Sequence, residues 1–197
     1  MNAHDLLWGM TPAHLPADAP AWARAVIGAG QPVVVRRALA EPGYVAVGMR
    51  GRLREQRFGA LMPLAAVQRR VAPEALRGVI SPRDLPALRA LDQLRPVLAQ
   101  EVWGVTGSAG FELATGIEAL HAQSDLDLLL RTFEPLDRGD AKDLLALLDT
   151  APCAVDLQLQ TPYGAVALRE WAGPSQRVLL KSASGAHLVS DPWQAVV

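Results

Sequence analysis

Apolar and polar side chains alternate strictly along residues 155–160, which have the sequence VDLQLQ. A two-residue period is that of a β-strand with one face in the core and the other face polar. Residues 125–131, with the sequence DLDLLLR, predict a second strand. Valine-rich segments bounded by Gly and Pro predict shorter strands over residues 32–38 and 43–51. Strands are therefore expected in both halves of the chain.

Leucines at helical spacing predict the clearest helix, which follows Ser81. Ser81 is the expected N-cap, and Pro82 lies in the first turn, where an N–H has no intrahelical partner. The apolar stripe of this helix consists of Leu85, Leu88, Leu91, Leu94 and Leu98. Because the helix joins two halves of different character, we place the domain boundary there, between residues 1–80 and residues 81–197.

The order of strands and helices in the second half predicts an α+β domain with a mixed sheet, preceded by a smaller α/β domain. Half of the 197 residues are apolar, which is enough for a normal core. Cys153 is the only cysteine, and no Cys/His cluster has zinc-ligand spacing. The sequence has neither a secretory signal pattern nor an apolar run long enough to cross a bilayer. We therefore expect a soluble cytoplasmic protein without membrane partners.

The net charge of −1 conceals an uneven distribution. Residues 1–80 contain ten Lys or Arg against five Asp or Glu, whereas residues 81–197 contain nine against fifteen. Most of the positive excess comes from arginines, which favour bidentate contacts with phosphate or carboxylate. They are Arg36, Arg37, Arg50, Arg52, Arg54, Arg57, Arg69 and Arg70. Either this is a solvated basic face or it binds an anionic partner, but no nucleic-acid-binding module is recognisable.

A glycine-rich turn separates a predicted strand from a short predicted helix at residues 104–110, GVTGSAG. Gly107 lets the backbone approach a ligand closely, and the helix N-terminus after it offers free N–H donors to an anion. Ser108 adds a hydroxyl. Turns of this kind also occur for geometric reasons alone, and this one matches neither the common phosphate-loop nor the dinucleotide fingerprint.

Three acids complete the candidate chemistry. Asp125 and Asp127 are two residues apart, so in a strand they share one face with carboxylates roughly 6–7 Å apart. Asp156 lies on the polar face of the VDLQLQ strand. Each acid alone fits a solvated strand end or surface. If the two strands are neighbours, the three carboxylates form the oxygen-rich cage that divalent cations bind during phosphate chemistry.

A Gly-Ser turn, a strand that opens with Asp-x-Asp and a later strand with a third Asp together resemble the active site of the nucleotidyltransferase superfamily. That resemblance implies a polymerase β-like mixed sheet with helices on one side. It also implies that the turn holds a triphosphate and that Asp125, Asp127 and Asp156 bind Mg²⁺, with two ions expected and Mn²⁺ possible. The chain departs from the usual pattern in one respect, because sixteen residues separate Ser108 from Asp125.

Longer segments resemble one family within this superfamily, the MdcG family of malonate decarboxylase holo-acyl-carrier-protein synthases. They include WGVTGSAGFELATG, SDLDLLLR and VDLQLQTPYGAVALREWA, together with HDLLW, PVVVRRA and VGMRGRLREQR in the first half. The resemblance implies that 2′-(5″-triphosphoribosyl)-3′-dephospho-CoA is the donor. The implied acceptor is a serine of the apo acyl carrier protein subunit of malonate decarboxylase, and pyrophosphate is released.

The expected roles follow from this resemblance. Asp125 and Asp127 would hold metal, and Asp156 would either complete the metal site or accept the serine proton. The residues expected to contact donor or carrier protein are Gly107, Ser108, Arg131, Lys181, Arg36, Arg37 and Arg52. Two alternatives stay open: a nucleotidyltransferase acting on another hydroxyl, and a catalytically silent adaptor whose basic half docks an acidic partner.

Overall fold

The structure, a computed structural model, describes residues 1–51, 53 and 55–195. The chain forms two compact units that divide between Ala72 and Pro73. The division therefore lies before the expected boundary at residue 80. Residues 73–80 belong to the second unit. The 3₁₀ helix Pro73–Leu76 lies against the second unit, where a side chain at Gly104 would overlap the Pro73 backbone.

The first unit is built on a five-stranded sheet in which each strand pairs antiparallel with its neighbours, in the order β4-β3-β2-β1-β5. One α-helix packs its Ala23 and Ile27 into the apolar core of this unit, together with Leu7 and Val33. The elements are β1 (Leu6–Trp8), α1 (Ala21–Gly28), β2 (Val33–Val35), β3 (Tyr44–Arg50), β4 (Arg57–Pro63) and β5 (Arg69–Val71). Helix and strand are thus combined in this unit, with an antiparallel sheet.

The second unit is a mixed α+β structure around a six-stranded sheet, as the sequence predicts. Its strands are β6 (Trp103–Val105), β7 (Leu126–Arg131), β8 (Val155–Thr161), β9 (Gly164–Ala167), β10 (Val178–Ser182) and β11 (Gly185–Val189). Its helices are α2 (Pro86–Val97), α3 (Gly107–Thr115), α4 (Arg138–Leu148) and α5 (Leu168–Trp171). The strand order is β11-β10-β9-β8-β7-β6, and β7 and β8 form its one parallel pair among the described residues.

The centre of this sheet is buried on both faces. Leu128, Leu129 and Leu130 are consecutive in β7, so they point alternately to opposite faces, yet each is at most 3% exposed. Both faces of the sheet are therefore covered at this strand. The apolar run of β7 is typical of a central strand with a parallel neighbour.

The helix predicted from Ser81 begins five residues later, at Pro86, with Leu85 as its N-cap. A residue that precedes proline avoids helical backbone angles, so Leu85 is extended and Pro86 occupies the first helical position. Ser81 instead accepts a hydrogen bond from the backbone N–H of Arg83. Four leucines of the predicted stripe, Leu88, Leu91, Leu94 and Leu98, are buried, whereas Leu85 is half-buried at the N-cap.

Within the described residues, no helix has both the length and the apolar character needed to cross a membrane.

Candidate active site

The three predicted acids meet at one end of the parallel strand pair. Asp127 of β7 lies directly opposite Asp156 of β8 in the register of the pair, so both side chains point to the same face. Asp125 immediately precedes β7. One carboxylate oxygen from each of the three acids lies within 4.8 Å of the others. The predicted proximity of Asp156 to the other two acids is therefore confirmed.

This cluster has the donor set of a hard divalent cation. Asp125 and Asp156 are exposed and Asp127 is half-buried. Two unit charges 4.8 Å apart repel by about 3.5 kcal/mol at an effective dielectric of 20, and by less than about 1 kcal/mol in bulk water. Carboxylate oxygens are the ligands that Mg²⁺ prefers, and a bound cation would offset this repulsion. The residues present thus fit the divalent metal expected from the sequence.

The glycine-serine turn borders this cluster. Gly107 opens α3 with a φ of 60°, and a Cβ at this position would overlap the Asp127 carboxylate. The backbone N–H of Thr106 donates to the Asp127 carbonyl at 2.9 Å, which ties the turn to β7. Ser108 lies half-buried in the first turn of α3, where backbone N–H groups have no intrahelical acceptor. The glycine-serine turn and the three acids therefore lie next to each other, as predicted.

Glu112 explains how the chain accommodates the long segment between the turn and the acids. Its side chain, 5% exposed, accepts two hydrogen bonds of 2.8 Å from Arg83 and one each from the backbone N–H groups of Ala119 and Leu120, at 2.7 and 2.9 Å. These bonds hold the segment after α3 in one conformation on its way to Asp125. Sequence reasoning missed this residue, whose signal is a lone acid in the apolar helix GFELAT.

Burial raises the pKa of the Glu112 carboxyl, but the hydrogen bonds from Leu120, Ala119 and Arg83 and the charge of Arg83 outweigh it. The net result is a pKa below the usual value, so Glu112 is ionised at neutral pH.

A cavity of about 160 Å³ opens beside Asp127 and Asp156. The side chains of Gln158, Arg169 and Lys181 add polar groups to its lining. Its apolar lining consists of Leu145, Leu148, Val155, Leu157, Ala165, Val166, Ala167 and Leu168. The cavity therefore combines acids with two cationic residues, Arg169 and Lys181.

The pairing of strands β8, β9 and β10 determines the face of the sheet on which Lys181 lies. Lys181 lies opposite Ala165 of β9, which lies opposite Gln160 of β8, so all three point to the face that carries Asp156. Lys181 is exposed. Lys181 thus lines the same cavity as Asp127 and Asp156, and its expected contact with phosphate stays a prediction.

Arg169 was not identified from the sequence, although it lies in the quoted segment AVALREWA. It pairs with Asp149, the residue that ends α4, at 2.6 Å, and both side chains are about half exposed. The hydrogen bond to Asp149 raises the pKa of the guanidinium most. Burial has the next largest effect and lowers the pKa, and the charges of Asp149 and Asp156 raise it further. Arg169 therefore lies within the electrostatic reach of Asp156.

Arg131 does not reach the acids. It lies four residues beyond Asp127 on β7, about 13 Å along the strand. Its guanidinium forms an ion pair with Glu74, and neither side chain is more than 24% exposed. Arg131 joins the 3₁₀ helix at the start of the second unit to the sheet. The expected contact between Arg131 and phosphate therefore lacks geometric support.

The first-unit arginines of the prediction occupy different environments. Arg36 is exposed, packs over Gly48 and Gly59, and lines a groove of about 530 Å³. Arg37 is hydrogen-bonded to His4 at 2.9 Å. Arg52, the third predicted substrate contact in this unit, lies outside the described residues, as does Arg54.

Cys153 is next to the acid cluster but is not activated as a nucleophile. Burial raises the pKa of its thiol most, and the negative charge of Asp125 raises it further, against a smaller opposing effect of a hydrogen bond from the Leu126 backbone. The thiol is therefore protonated at neutral pH, and only the thiolate is a good nucleophile.

Comparison with known protein families assigns both units. The model described as "Phosphoribosyl-dephospho-CoA transferase MdcG C-terminal domain" matches residues 75–192. The model described as "Phosphoribosyl-dephospho-CoA transferase MdcG N-terminal domain" matches residues 2–73. The two matched regions meet where the structure divides.

Several proteins named phosphoribosyl-dephospho-CoA transferase are similar to this chain over nearly their full lengths. A phosphoribosyl-dephospho-CoA transferase of Pseudomonas fluorescens strain Pf-5 is 69% identical over 192 residues, covering 96% of this chain and 92% of the relative. Another, from Pseudomonas fluorescens strain Pf0-1, is 64% identical and covers 97% and 94%. One from Azotobacter vinelandii is 56% identical and covers 98% and 94%. No solved structure matches the chain.

Proposed function

Because the chain belongs to the phosphoribosyl-dephospho-CoA transferase (MdcG) family, and is thus a transferase, we propose the following reaction for it. It transfers the phosphoribosyl-dephospho-CoA group from 2′-(5″-triphosphoribosyl)-3′-dephospho-CoA to a serine hydroxyl on the apo acyl carrier protein subunit of malonate decarboxylase. The serine oxygen forms a bond to the α-phosphorus, the bond from that phosphorus to the bridging oxygen breaks, pyrophosphate leaves, and the hydroxyl proton is taken up. We place this reaction in the cytoplasm, in line with the free thiol of Cys153.

The observation that supports this proposal is the meeting of three acids and the glycine-serine turn at one end of a parallel strand pair. Transfer of a phosphate-linked group needs a place for metal and a place for the leaving phosphates side by side. The family name supports the identity of the transferred group. The carrier-protein acceptor is supported by the likeness of the longer sequence motifs.

In this proposal Asp125, Asp127 and Asp156 hold Mg²⁺, as two ions, with Mn²⁺ as a substitute. The bound metal supplies charge neutralisation for the triphosphate and for the departing pyrophosphate. The fit rests on the oxygen donor set and on the proximity of the three carboxylates. Asp156 retains a second possible role, because an exposed carboxylate at this position also suits a proton acceptor for the serine hydroxyl.

The remaining groups of the site bind and orient the phosphates. First-turn N–H groups at Gly107 and Ser108 donate to the terminal phosphates, and the positive end of α3 favours their charge. Lys181 and Arg169 add two cations in the cavity next to Asp156. Together they hold the α-phosphate near the acids, where the acceptor serine can approach.

The decisive test is incubation of the purified protein with Mg²⁺, the donor and the apo carrier subunit, followed by intact-mass measurement. We expect a mass increase on one serine equal to the phosphoribosyl-dephospho-CoA group, and none with Asp125→Asn. The exposed Asp143→Asn, on α4, is the matched control and should retain activity.

Other outcomes would contradict the proposal. Full turnover of ATP on a different hydroxyl would instead indicate a nucleotidyltransferase with another acceptor. Unimpaired biological function of Asp125→Ala, with no effect of Mg²⁺ and triphosphate on thermal stability, would indicate a non-catalytic adaptor.

A further inference from the structure

One buried polar atom close to the acids has no hydrogen-bond partner among the described residues. Gln158 lies in β8, two residues after Asp156 and on the same face. Gln158 is one of the residues that line the cavity, as are Asp127 and Asp156. Its Oε1 is buried and has no hydrogen-bond partner within the described part of the chain.

The next glutamine on the same face shows what a structural glutamine does in this strand. Gln160 donates from Nε2 to the carbonyl oxygens of Thr161 and Gly164, both at 2.9 Å, and so ties together the β8–β9 turn. Gln158 makes no comparable bond through its Oε1. A buried acceptor without a partner costs folding free energy, so a ligand that supplies a donor would recover that cost on binding.

The chemistry of the site defines that ligand group. Phosphate oxygens carry no hydrogen to donate at neutral pH, and Lys181 and Arg169 already supply cations for them. Oε1 can only accept, so its partner on a ligand must carry an O–H or N–H group. In the proposed donor, the O–H groups nearest the triphosphate are those of the pentose that carries it. Two residues along one face of a strand span about 6.6 Å, so Gln158 lies about one sugar ring away from the acid cluster.

We propose that Oε1 of Gln158 accepts a hydrogen bond from a hydroxyl of the pentose that carries the donor's triphosphate. This inference rests on the proposed function and assigns a substrate-binding residue to the same site. Gln158 therefore selects a ribose over a sugar without hydroxyls.

Gln158→Met tests this, because methionine keeps the length of the side chain and removes the acceptor. We expect the melting temperature of the free protein to stay level or rise, since an unpaired buried acceptor is lost. The KM for the donor should rise about three- to tenfold, with a much smaller change in kcat. Gln160→Met is the matched control and should lower the melting temperature without changing KM.

A second measurement tests whether Gln158 contacts a pentose hydroxyl. ATP and 2′,3′-dideoxy-ATP, both with Mg²⁺, are compared as inhibitors of the transfer reaction. The wild type should bind ATP more tightly than the dideoxy analogue, and Gln158→Met should bind the two equally. An unchanged preference in Gln158→Met, or a lowered melting temperature with unchanged KM, would overturn the assignment.

The two proposals fail in different ways. If the wild type modifies no carrier protein, the proposed reaction is wrong. Thermal shifts with the two nucleotides, measured without any acceptor, still test Gln158. A larger shift with ATP that disappears in Gln158→Met supports the assignment, and equal or absent shifts in the wild type reject it.

Discussion

At the scale of single residues, Gly107 is the position where one methyl group would disturb the acid cluster most directly. Its φ of 60° disfavours any side chain, and a Cβ would overlap the carboxylate of Asp127. Gly116, at the other end of α3, has a similar φ of 74° but open space around it. Substitution at both Gly107 and Gly116 strains the backbone, but only substitution at Gly107 also displaces an acid.

We expect both Gly107→Ala and Gly116→Ala to lose about 1 kcal/mol of unfolding free energy through backbone strain. Only Gly107→Ala should also lose transfer activity, by about 100-fold, because a carboxylate displaced by about 1 Å no longer holds its ligand. Denaturant titration and the intact-mass assay measure the two effects. Equal activity in the two variants would show that the turn does not position Asp127.

Arg169 offers a second residue-scale test, since it is both an ion-pair partner and a cavity residue. Arg169→Met should raise the KM for the donor about tenfold, because a cation facing the phosphates is lost. Asp149→Asn breaks the same exposed ion pair but keeps the cation, so it should cost less than about 1 kcal/mol in stability and leave KM unchanged. Identical kinetics in both variants would assign Arg169 a purely structural role.

At the scale of elements, the contact between Glu112 and Arg83 holds the segment between α3 and β7. The lowered pKa of Glu112 means that the ionised form is favoured by folding. Its stabilising contribution is complete above the ordinary glutamate pKa, about 4.3, and disappears as the pH falls through the lower pKa of the folded state. The wild type should therefore lose stability in acid partly through this one group.

Glu112→Gln should lower the unfolding free energy at pH 7 by about 2–3 kcal/mol, since it leaves buried donors poorly satisfied. It should also flatten the loss of stability below pH 4. Glu118→Gln is the control, because Glu118 faces the same Arg83 at 3.8 Å but is 77% exposed; its effect should be below about 1 kcal/mol. Chemical denaturation across pH 3–7 compares them, and parallel curves for the wild type and Glu112→Gln would contradict the assignment.

At the scale of the whole molecule, charge is divided between the two units. Residues 1–72 hold nine Arg against four acids, for +5, while residues 73–197 hold ten Lys or Arg against sixteen acids, for −6. In the first unit Arg50 and Arg57 lie directly opposite each other at the end of the β3–β4 hairpin. Like charges in that position repel, which suits a surface that meets an anionic partner.

Arg57→Ala should leave stability unchanged or raise it by a few tenths of a kcal/mol, because it relieves this repulsion. If the hairpin attracts an acidic carrier protein, kcat/KM for the carrier should fall and become less sensitive to salt. Arg89→Ala removes one positive charge from α2. It should leave kcat/KM for the carrier and its sensitivity to salt unchanged. Kinetics at several ionic strengths measure the difference, and equal salt dependence in all three proteins would exclude the hairpin as a docking surface.

Several features of the fold and site could be predicted from sequence because they are local. The alternation around Asp156 determined which face it occupies, and the leucines after Asp127 marked a buried central strand. Gly107 and Ser108 were recognisable as a turn before a helix. In each case the signal lies within a few residues, at the repeat distance of a strand or at a helix end.

Other features depend on residues that are far apart in the chain. Glu74 lies 57 residues from Arg131, and Arg83 lies 29 residues from Glu112. No local pattern indicates which charged side chain will meet which, so Arg131 was assigned to phosphate and Glu112 was overlooked. The start of α2 is different, because its signal is local: Leu85 precedes Pro86 and is therefore extended.

The sequence by itself determined the kinds of element, the polar faces of the strands and the three acids of the candidate site. Only the tertiary structure decided that β7 and β8 are parallel neighbours in the register that sets Asp127 opposite Asp156, and that Lys181, Arg169 and Gln158 share their cavity. The physical reason is that periodicity is a property of one segment. Strand pairing, ion pairs and cavities depend instead on how segments distant in sequence bury their surfaces together.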